Sequence, residues 1–249
     1  VPGTVPCGPK SDCVNRRLFM ECPSGACCSL GPALSSGNSQ PDTRRANCGN
    51  VALQVRQFPA TDVYWTKTCG FGLRALEAFP AGTIVEEYLG EVITTEECRT
   101  RLGTYTENQD YYFASLTGPY VLDAGPMGSK ARFANHSCSP NCALQVWNVL
   151  GEPRVALVAI RDIRANEHLC YNYRSDDLNG EVSLQSCRCG SLNCCGVIGG
   201  RVEESDLQKW ETDATRCLGL QRAKLESLQA LIAHAEQLGV DECNGYLRE

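Results

Sequence analysis

Hydrophobic residues fall in short, strand-like runs over much of the chain between residues 51 and 160, and in the first run, VALQVRQF, they alternate with polar residues at period two. Turn signals such as AGT, TGP and LGEP separate seven such runs, which cover 51–58, 70–79, 83–93, 111–116, 119–124, 142–150 and 153–160. One helix is predicted over 94–107, TTEECRTRLGTYTE, with Thr95 as its candidate N-cap. Many closely spaced strands with little helix predict a β-rich α+β fold.

The two ends of the chain follow other patterns. The first 52 residues are rich in cysteine and include a predicted loop, GPALSSGNSQPD, at 31–42; such a segment buries little apolar surface, so a metal is expected to hold it. From residue 201, apolar residues recur three or four apart, as in a helix, and Gly219 is predicted to separate two helices. Packing on the main domain is the favoured interpretation of this tail, with binding of a partner protein as the alternative. These changes divide the chain into segments 1–52, 53–176, 177–200 and 201–249.

Composition narrows the class of protein. A chain of 249 residues with 43% hydrophobic content can form one large domain or two small ones. The net charge of −6 argues against general nucleic-acid binding, although the pairs Arg16–Arg17 and Arg44–Arg45 could contact phosphate. No apolar run approaches the roughly 20 residues of a membrane helix. The first residues, VPGTVPCGPK, contain neither Met nor an apolar signal-peptide core, which suggests a piece of a longer protein.

Seventeen cysteines allow two interpretations, which are a secreted protein with disulfides and an intracellular protein with zinc thiolate sites. Six of them lie in the first 48 residues and four in 187–195. The spacing of Cys187 and Cys189 favours zinc, because two thiolates that close can bind one ion whereas a disulfide framework would normally give them separate partners. Metal analysis separates the two interpretations.

Five motifs, in order, carry a resemblance to a known family: GFGL, EYLGE, DAGPMGSKARFANHSCSPNC, YNY and CRCGSLNCCG. Together they resemble the SET-domain protein lysine methyltransferases over roughly residues 50 to 200. The spacing Cys-x-Cys-x4-Cys at 187–194 resembles the post-SET motif, and the cysteine-rich front resembles the AWS (associated-with-SET) module. This combination is similar to the branch that methylates lysine 36 of histone H3. The resemblance implies a SET fold of several small sheets with a knot-like threading, flanked by zinc-bound segments and followed by the helical tail.

The activity that the resemblance implies is methyl transfer from S-adenosylmethionine to a lysine amine. The attacking nitrogen must be neutral, although the ordinary lysine pKa is about 10.4, and an apolar channel lowers that pKa by desolvating the ammonium. Tyrosine rings suit such a channel. In the family pattern Tyr173 is the catalytic tyrosine, Tyr88 lines the lysine channel, and a tyrosine at the position of Tyr171 limits the number of methyl groups. Mono- or dimethylation is therefore expected.

Other roles carry over residue by residue. The expected cofactor-binding residues are Cys69, Gly70, Phe71, Tyr111, Tyr112, Asn135, His136, Gln185 and Arg188. The expected ligands of one zinc ion are Cys138, Cys187, Cys189 and Cys194, and those of a second are Cys7, Cys22, Cys27 and Cys48, with Cys28 as a substitute for Cys27. A third ion would share Cys7 with Cys13 and an upstream Cys-x-Cys pair that this sequence does not contain.

The sequence departs from the family pattern at Asp110, where His or Thr is usual, and at His168, where an acidic residue is common. The acidic loop 174–186 is predicted to cover the lysine channel until a nucleosome displaces it. The expected partners are a histone tail in a nucleosome and, through it, DNA, with a nuclear, chromatin-bound location. Two alternatives stay open: a SET-like binding module without catalysis, which the intact Asn135, His136 and Tyr173 disfavour, and methylation of another histone or non-histone lysine.

Overall fold

The computed structural model describes residues 7–23, 48–105, 110–173, 185–194 and 196–198. The strands in these residues are β1 Thr61–Trp65, β2 Phe71–Ala75, β3 Ile84–Tyr88, β4 Glu91–Thr94, β5 Phe113–Thr117, β6 Tyr120–Asp123, β7 Asn135–His136, β8 Cys142–Val149, β9 Glu152–Ala159, β10 His168–Tyr171, β11 Gln185–Ser186 and β12 Val197–Ile198. The helices are α1 Val14–Arg17, α2 Ala52–Val55, α3 Thr95–Leu102 and a 3-10 helix at Lys130–Phe133. None of the described helices is long and apolar enough to span a bilayer.

The strands form several small sheets instead of one large one, which confirms the predicted β-rich fold. Their orders are β1-β2-β10-β7, β3-β9-β8, β4-β6-β5 and the pair β11-β12. In the first sheet β10 is antiparallel to β2 and parallel to β7, so that Cys170 pairs with Asn135 and Tyr171 with His136. This pairing brings together two segments that are more than thirty residues apart in the chain. The knot-like threading stays a prediction.

A continuous core holds the sheets together. Leu73, Leu157 and Leu169 are fully buried in it, and Tyr88 is nearly so. Complete burial of such a side chain contributes roughly 1.5–3 kcal/mol to the free energy of unfolding. The functional residues described below therefore stand on well-packed strands.

The predicted strand 83–93 is two strands, β3 and β4, which meet at Gly90. A Cβ atom at Gly90 would lie 2.7 Å from the backbone carbon and oxygen of Asp123, closer than real contacts allow. Glycine is therefore required where the connection crosses the end of β6. Strand-forming residues stand on both sides of this glycine, so the sequence reads as one continuous run and does not reveal the break.

Three other element predictions need correction. The prediction of a strand at 51–58 is wrong, because Ala52–Val55 forms one helical turn whose Leu53 and Gln54 N–H groups donate to the carboxylate of Glu21 at 2.7 and 2.9 Å. The N-cap of α3 is Thr94, whose hydroxyl accepts from the Glu97 N–H at 3.2 Å, and not Thr95. Strands β1 and β10 went unpredicted because neither shows a clean alternation of buried and exposed residues.

The front segment packs on the β-sheets. The Arg16 guanidinium donates to the carbonyl oxygens of Gly49, at 3.2 Å, and Gly82, and it lies 5.6 Å from the centroid of the Trp147 ring. Met20 forms a parallel bridge with Asn148 of β8. Three predicted features lie wholly or largely outside the described residues: the loop 31–42, the loop 174–186 except for its last two residues, and the helical tail 201–249.

Candidate functional site

The candidate site lies where β7 and β10 run side by side. Tyr173 follows β10, and its hydroxyl donates to the backbone oxygen of Ala134, just before β7, at 2.8 Å. Burial raises the pKa of Tyr173 well above the ordinary value of 10, and the neighbouring phenols and Asp110 raise it further. The Tyr173 hydroxyl therefore stays protonated at neutral pH, and its hydrogen is already committed to Ala134.

The predicted channel tyrosines lie close to Tyr173. The ring of Tyr171 has its centroid 4.6 Å from that of Tyr173, at an interplanar angle of 43°. Tyr88 is buried in the same core cluster, and Tyr112 packs against that cluster. Burial raises the pKa of Tyr111 to about 12. The phenols of Tyr88, Tyr111 and Tyr112 all act electrostatically on Tyr173, so the structure brings the five predicted tyrosines together.

The predicted cofactor loop is the tight turn between β1 and β2. Gly70 has a φ of +69°, a backbone conformation that glycine adopts without strain. The Asn135 amide donates to the carbonyl oxygens of Phe71, at 3.1 Å, and Cys69, at 3.4 Å. These bonds fix the turn against β7. The ring of Phe71 itself is about half exposed.

The other end of the Asn135 carboxamide is unsatisfied. Its Oδ1 atom is buried and has no hydrogen-bond partner in the described part of the chain. A buried acceptor without a donor costs about 1–3 kcal/mol, which points to a donor supplied by a ligand. An ammonium group of a bound molecule would satisfy it, so this atom fits the amino group of S-adenosylmethionine.

Gly72 keeps the space beside Asn135 open. A Cβ atom there would lie 2.9 Å from Asn135 Oδ1 and 2.8 Å from Cε1 of His168. The His168 ring is held by a hydrogen bond of 2.9 Å between its Nδ1 and the Tyr64 hydroxyl, and burial lowers the pKa of His168. A side chain at position 72 would therefore displace two groups of the candidate site.

His136, which was expected to contact the cofactor, has its ring occupied within the protein. Its Nδ1 accepts from the Tyr173 backbone N–H at 3.1 Å, and its Nε2 lies 3.4 Å from the Cys138 sulfur. The imidazole therefore bridges the segment that carries Tyr173 and the segment that carries Cys138.

We use the name rear cysteine cluster for Cys138, Cys187, Cys189 and Cys194, whose sulfur atoms all lie within 4.8 Å of one another. Zinc bound to four thiolates at about 2.3 Å needs sulfur atoms roughly 3.8 Å apart, and Cys138 and Cys187 are at 3.9 Å. The structure thus brings together all four ligands predicted for one ion, and this donor set fits zinc.

Two polar contacts also join the segments that carry this cluster. The Asn193 amide donates to the Cys138 carbonyl oxygen at 3.1 Å. The hydroxyls of Ser137 and Ser191 are 3.0 Å apart. Neither contact was anticipated, since nothing in the spacing of the cysteines points to the residues between them.

The front cysteine cluster consists of Cys7, Cys22 and Cys48, which are buried with sulfur atoms within 4.8 Å of one another. Cys13 has its sulfur 3.8 Å from that of Cys22. The amide of Asn50 donates to the Cys22 sulfur at 3.4 Å, as expected beside a thiolate. Cys27, the fourth predicted ligand, lies outside the described residues, as does Cys28.

The remaining predicted residues are less defined. Gln185 pairs with Ile198 through the backbone of β11, while Arg188 and Cys69 are exposed. Arg132 donates to the carbonyl oxygen of Ala124 at 2.7 Å and lies 4.8 Å from the ring centroid of Tyr112. It thereby supports Tyr112 from behind.

Comparisons with known proteins agree with this geometry. The SET domain family model matches residues 70–174. The chain is 37% identical over 204 residues to a protein of Cryptococcus neoformans described as "Histone-lysine N-methyltransferase, H3 lysine-36 specific", covering 81% of this chain and 22% of that protein. A human protein of the same description is 38% identical over 199 residues, covering 79% of this chain and 7% of that protein.

Two further matches extend the picture. Mouse histone-lysine N-methyltransferase NSD3 is 35% identical over 240 residues, which are 96% of this chain and 15% of that protein. The crystal structure of the methyltransferase domain of human histone-lysine N-methyltransferase SETMAR has a TM-score of 0.57 and 28% identity, covering 63% of this chain and 64% of that one. The chain therefore spans 22% or less of the length of the curated relatives described here.

Proposed function

Because this chain contains a SET domain, at residues 70–174, we propose that it is a protein lysine N-methyltransferase that uses S-adenosylmethionine. The observation that carries the proposal is the pair formed by Tyr173 and Asn135. The hydroxyl hydrogen of Tyr173 is committed to a backbone carbonyl, and the buried Asn135 Oδ1 lacks a donor. The Tyr173 oxygen can therefore accept a hydrogen bond from a substrate, and Asn135 Oδ1 can accept one from the ammonium of the methyl donor.

The methyl donor supplies an electrophilic carbon when bound. Asn135 would accept a hydrogen bond from its ammonium, and the turn at Cys69–Phe71 would form the wall beside it, with Tyr111, Tyr112, Gln185 and Arg188 as further contacts. Because the Tyr173 hydroxyl donates to Ala134, its oxygen can only accept, either from the lysine nitrogen or from the polarised C–H bonds of the methyl group.

The lysine must reach the methyl carbon as a neutral amine. Burial between the rings of Tyr88, Tyr171 and Tyr173 would desolvate its ammonium and lower its pKa. Tyr173 does not take the proton, because burial keeps its own pKa high and a phenolate would be needed to accept it. The proton therefore leaves to water before the attack, and the tyrosines contribute position and desolvation.

We propose a zinc ion in the rear cysteine cluster, as in a post-SET segment, and a second one at the front cluster with Cys27 as a further ligand, as in an AWS segment. Support comes from the mutual distances of the sulfur atoms. The division at 1–52, 53–176, 177–200 and 201–249 is part of this proposal, and binding of a partner protein by the tail stays the alternative interpretation.

We propose lysine 36 of histone H3, in nucleosomes, as the substrate, with mono- or dimethylation as the product and nuclear chromatin as the location. The fungal and human relatives that are described as specific for lysine 36 of histone H3 support this choice. Contact with nucleosomal DNA would follow from the same substrate.

The test is a transfer assay with labelled S-adenosylmethionine on nucleosomes whose H3 carries lysine or arginine at position 36. Label on the lysine nucleosome that is lost with arginine, and lost with Tyr173→Phe, is the expected result. Label that persists with arginine assigns another lysine. Nucleosome binding without any transfer would overturn the enzyme proposal in favour of a binding module.

A further inference from the structure

The imidazole of His136 contacts both the rear cysteine cluster, at Cys138, and the backbone of Tyr173. Only Ser137 separates it from Cys138, and the parallel pairing of β7 with β10 sets it opposite Tyr171. Its ring centroid lies 5.3 Å from that of Tyr173, at an interplanar angle of 69°. The His136 side chain is 7% exposed, so water does not compete for its nitrogens.

The two hydrogen bonds of this ring determine its tautomer. The Tyr173 backbone N–H can only donate, so Nδ1 must be the acceptor. A neutral imidazole carries one N–H, which then sits on Nε2 and points to the Cys138 sulfur at 3.4 Å. A thiolate sulfur, the form in which cysteine binds zinc, accepts this hydrogen better than a thiol sulfur does.

We propose that His136 is a positioning residue that couples metal occupancy of the rear cysteine cluster to the place of the Tyr173 backbone. This inference deepens the proposed function and rests on it for the role of Tyr173. A metal-bound Cys138 would have a fixed sulfur, which holds Nε2 in place and keeps Nδ1 in line with the Tyr173 N–H. Without the ion the sulfur loses its fixed place, and the ring can turn away from the Tyr173 N–H.

The segment that carries Cys138 and the segment that carries the other rear cysteines are also held together by contacts that do not involve His136. The bonds Ser137–Ser191 and Asn193–Cys138 join the two segments without involving the imidazole. The Ser137 N–H donates to the Tyr171 carbonyl at 3.0 Å and supports the strand pairing independently. Loss of the His136 ring contacts should therefore change the coupling while the segments remain docked.

Two substitutions separate the two ends of the ring. In His136→Asn the side-chain oxygen can occupy the place of Nδ1 and accept from Tyr173, but nothing reaches Cys138. In His136→Gln the side-chain amide can occupy the place of Nε2 and donate to Cys138, but Tyr173 loses its acceptor. His168→Asn and His168→Gln are matched controls, since His168 lies on the same sheet and its ring bonds to Tyr64.

The experiment measures zinc release to a chromogenic chelator and the hydrogen exchange of the Tyr173 amide, observed by NMR with nitrogen-15 tyrosine. The chain has 9 tyrosines, and the Tyr173 signal is the one absent from Tyr173→Phe. In the unsubstituted protein, removal of zinc should speed exchange at Tyr173. His136→Asn should release zinc roughly 10-fold faster, as for loss of other groups that orient metal ligands, and should show Tyr173 exchange that no longer depends on zinc.

His136→Gln should keep near-normal zinc release but exchange Tyr173 rapidly with or without zinc, and both His168 controls should behave as the unsubstituted protein. The inference is overturned if zinc removal accelerates Tyr173 exchange in His136→Asn as much as in the unsubstituted protein, or if His136→Asn releases zinc at the normal rate. It is also overturned if His136→Gln keeps the slow, zinc-dependent Tyr173 exchange of the unsubstituted protein. Each variant tests one end, so failure of one to fold leaves the other decisive. Zinc release and Tyr173 hydrogen exchange can both be measured without methyl transfer. A protein that transfers no methyl group would therefore overturn the proposed function but would still allow the coupling to be tested.

Discussion

Tyr173 donates its hydroxyl hydrogen to the backbone oxygen of Ala134 across 2.8 Å, which joins the second residue after β10 to the residue before β7. The bond orients the phenolic oxygen, because with its hydrogen committed the oxygen presents only lone pairs to a substrate. The same buried environment raises the pKa of Tyr173 and prevents its use as a base. We therefore expect the Tyr173 oxygen to act as a hydrogen-bond acceptor and not as a base.

Tyr173→Phe should leave the ring in place and remove only that oxygen. We expect the methyl-transfer rate to fall on the order of 100-fold or more, because a preorganised polar group at the reacting atoms is lost. The free energy of unfolding should change by about 1 kcal/mol, the net value of one hydrogen bond. Single-turnover assays and urea unfolding measure the two effects, and near-normal transfer would show that Tyr173 does not act on the reacting atoms.

Asn135→Ala should weaken the binding of S-adenosylmethionine roughly 10- to 100-fold, since it removes both the acceptor for the ammonium and the bonds that fix the turn at Cys69–Phe71. Calorimetric titration of the methyl donor measures this change. Asn148→Ala is the matched control, because Asn148 caps the distant β8–β9 turn by accepting from the Gly151 N–H. Equal affinities in the two variants would refute the role of Asn135.

Part of this site could be predicted from the sequence and part could not. The chemistry-bearing residues lie in contiguous motifs, so the tyrosines and the four rear cysteines were identifiable one by one. The motifs do not show which atom is the hydrogen-bond partner of each side chain. The Ala134 oxygen that receives the Tyr173 hydroxyl is a backbone atom, and the two-sided bonding of His136 exists only after β7 pairs with β10.

The secondary structure, too, could be predicted from the sequence only in part. Runs of strand-forming residues separated by the turn LGEP predicted β8 and β9 well, because their pairing is local and regular. The turn at Ala52–Val55 was predicted as a strand because the group that stabilises it, the carboxylate of Glu21, is thirty-one residues before Ala52 in the chain. Long-range hydrogen bonds override local patterns wherever the local segment is short.

Glu167 should make stability depend on pH in the acid range. Desolvation alone would raise its pKa, but hydrogen bonds from Arg161, the Arg164 N–H and Asn141 outweigh it and hold the pKa at about 2. A carboxyl whose folded pKa is depressed contributes stability that is present above its unfolded pKa, near 4.5, and lost as the pH falls toward 2.

Glu167→Gln should therefore lower the free energy of unfolding by about 1–3 kcal/mol at neutral pH, with a deficit that shrinks as the pH drops below about 4. Denaturant unfolding of both proteins over this range measures the difference, and the exposed Glu152→Gln is the control. A deficit that stays constant with pH would mean that the ion pair with Arg161 does not persist in solution.

The two cysteine clusters predict at least two zinc ions per chain. Cys187→Ser and Cys22→Ser should each lower the zinc content by one ion, because each removes a ligand from a different cluster. Cys98→Ala is the control, since Cys98 is the buried residue of α3, lies in another part of the core and belongs to neither cluster. Elemental analysis of the purified proteins counts the metal. Metal-free protein with few reactive thiols would instead support the disulfide interpretation.

Tyr171 should limit the product to one or two methyl groups. Its ring lies against that of Tyr173, with centroids 4.6 Å apart, and therefore beside the proposed lysine channel. Tyr171→Phe removes that oxygen and any water bound to it, while keeping the aromatic wall of the channel. The variant should shift the product toward trimethyl-lysine at an unchanged site, as mass spectrometry of the modified histone would record. Trimethyl-lysine as the main product of the unsubstituted protein would contradict this role.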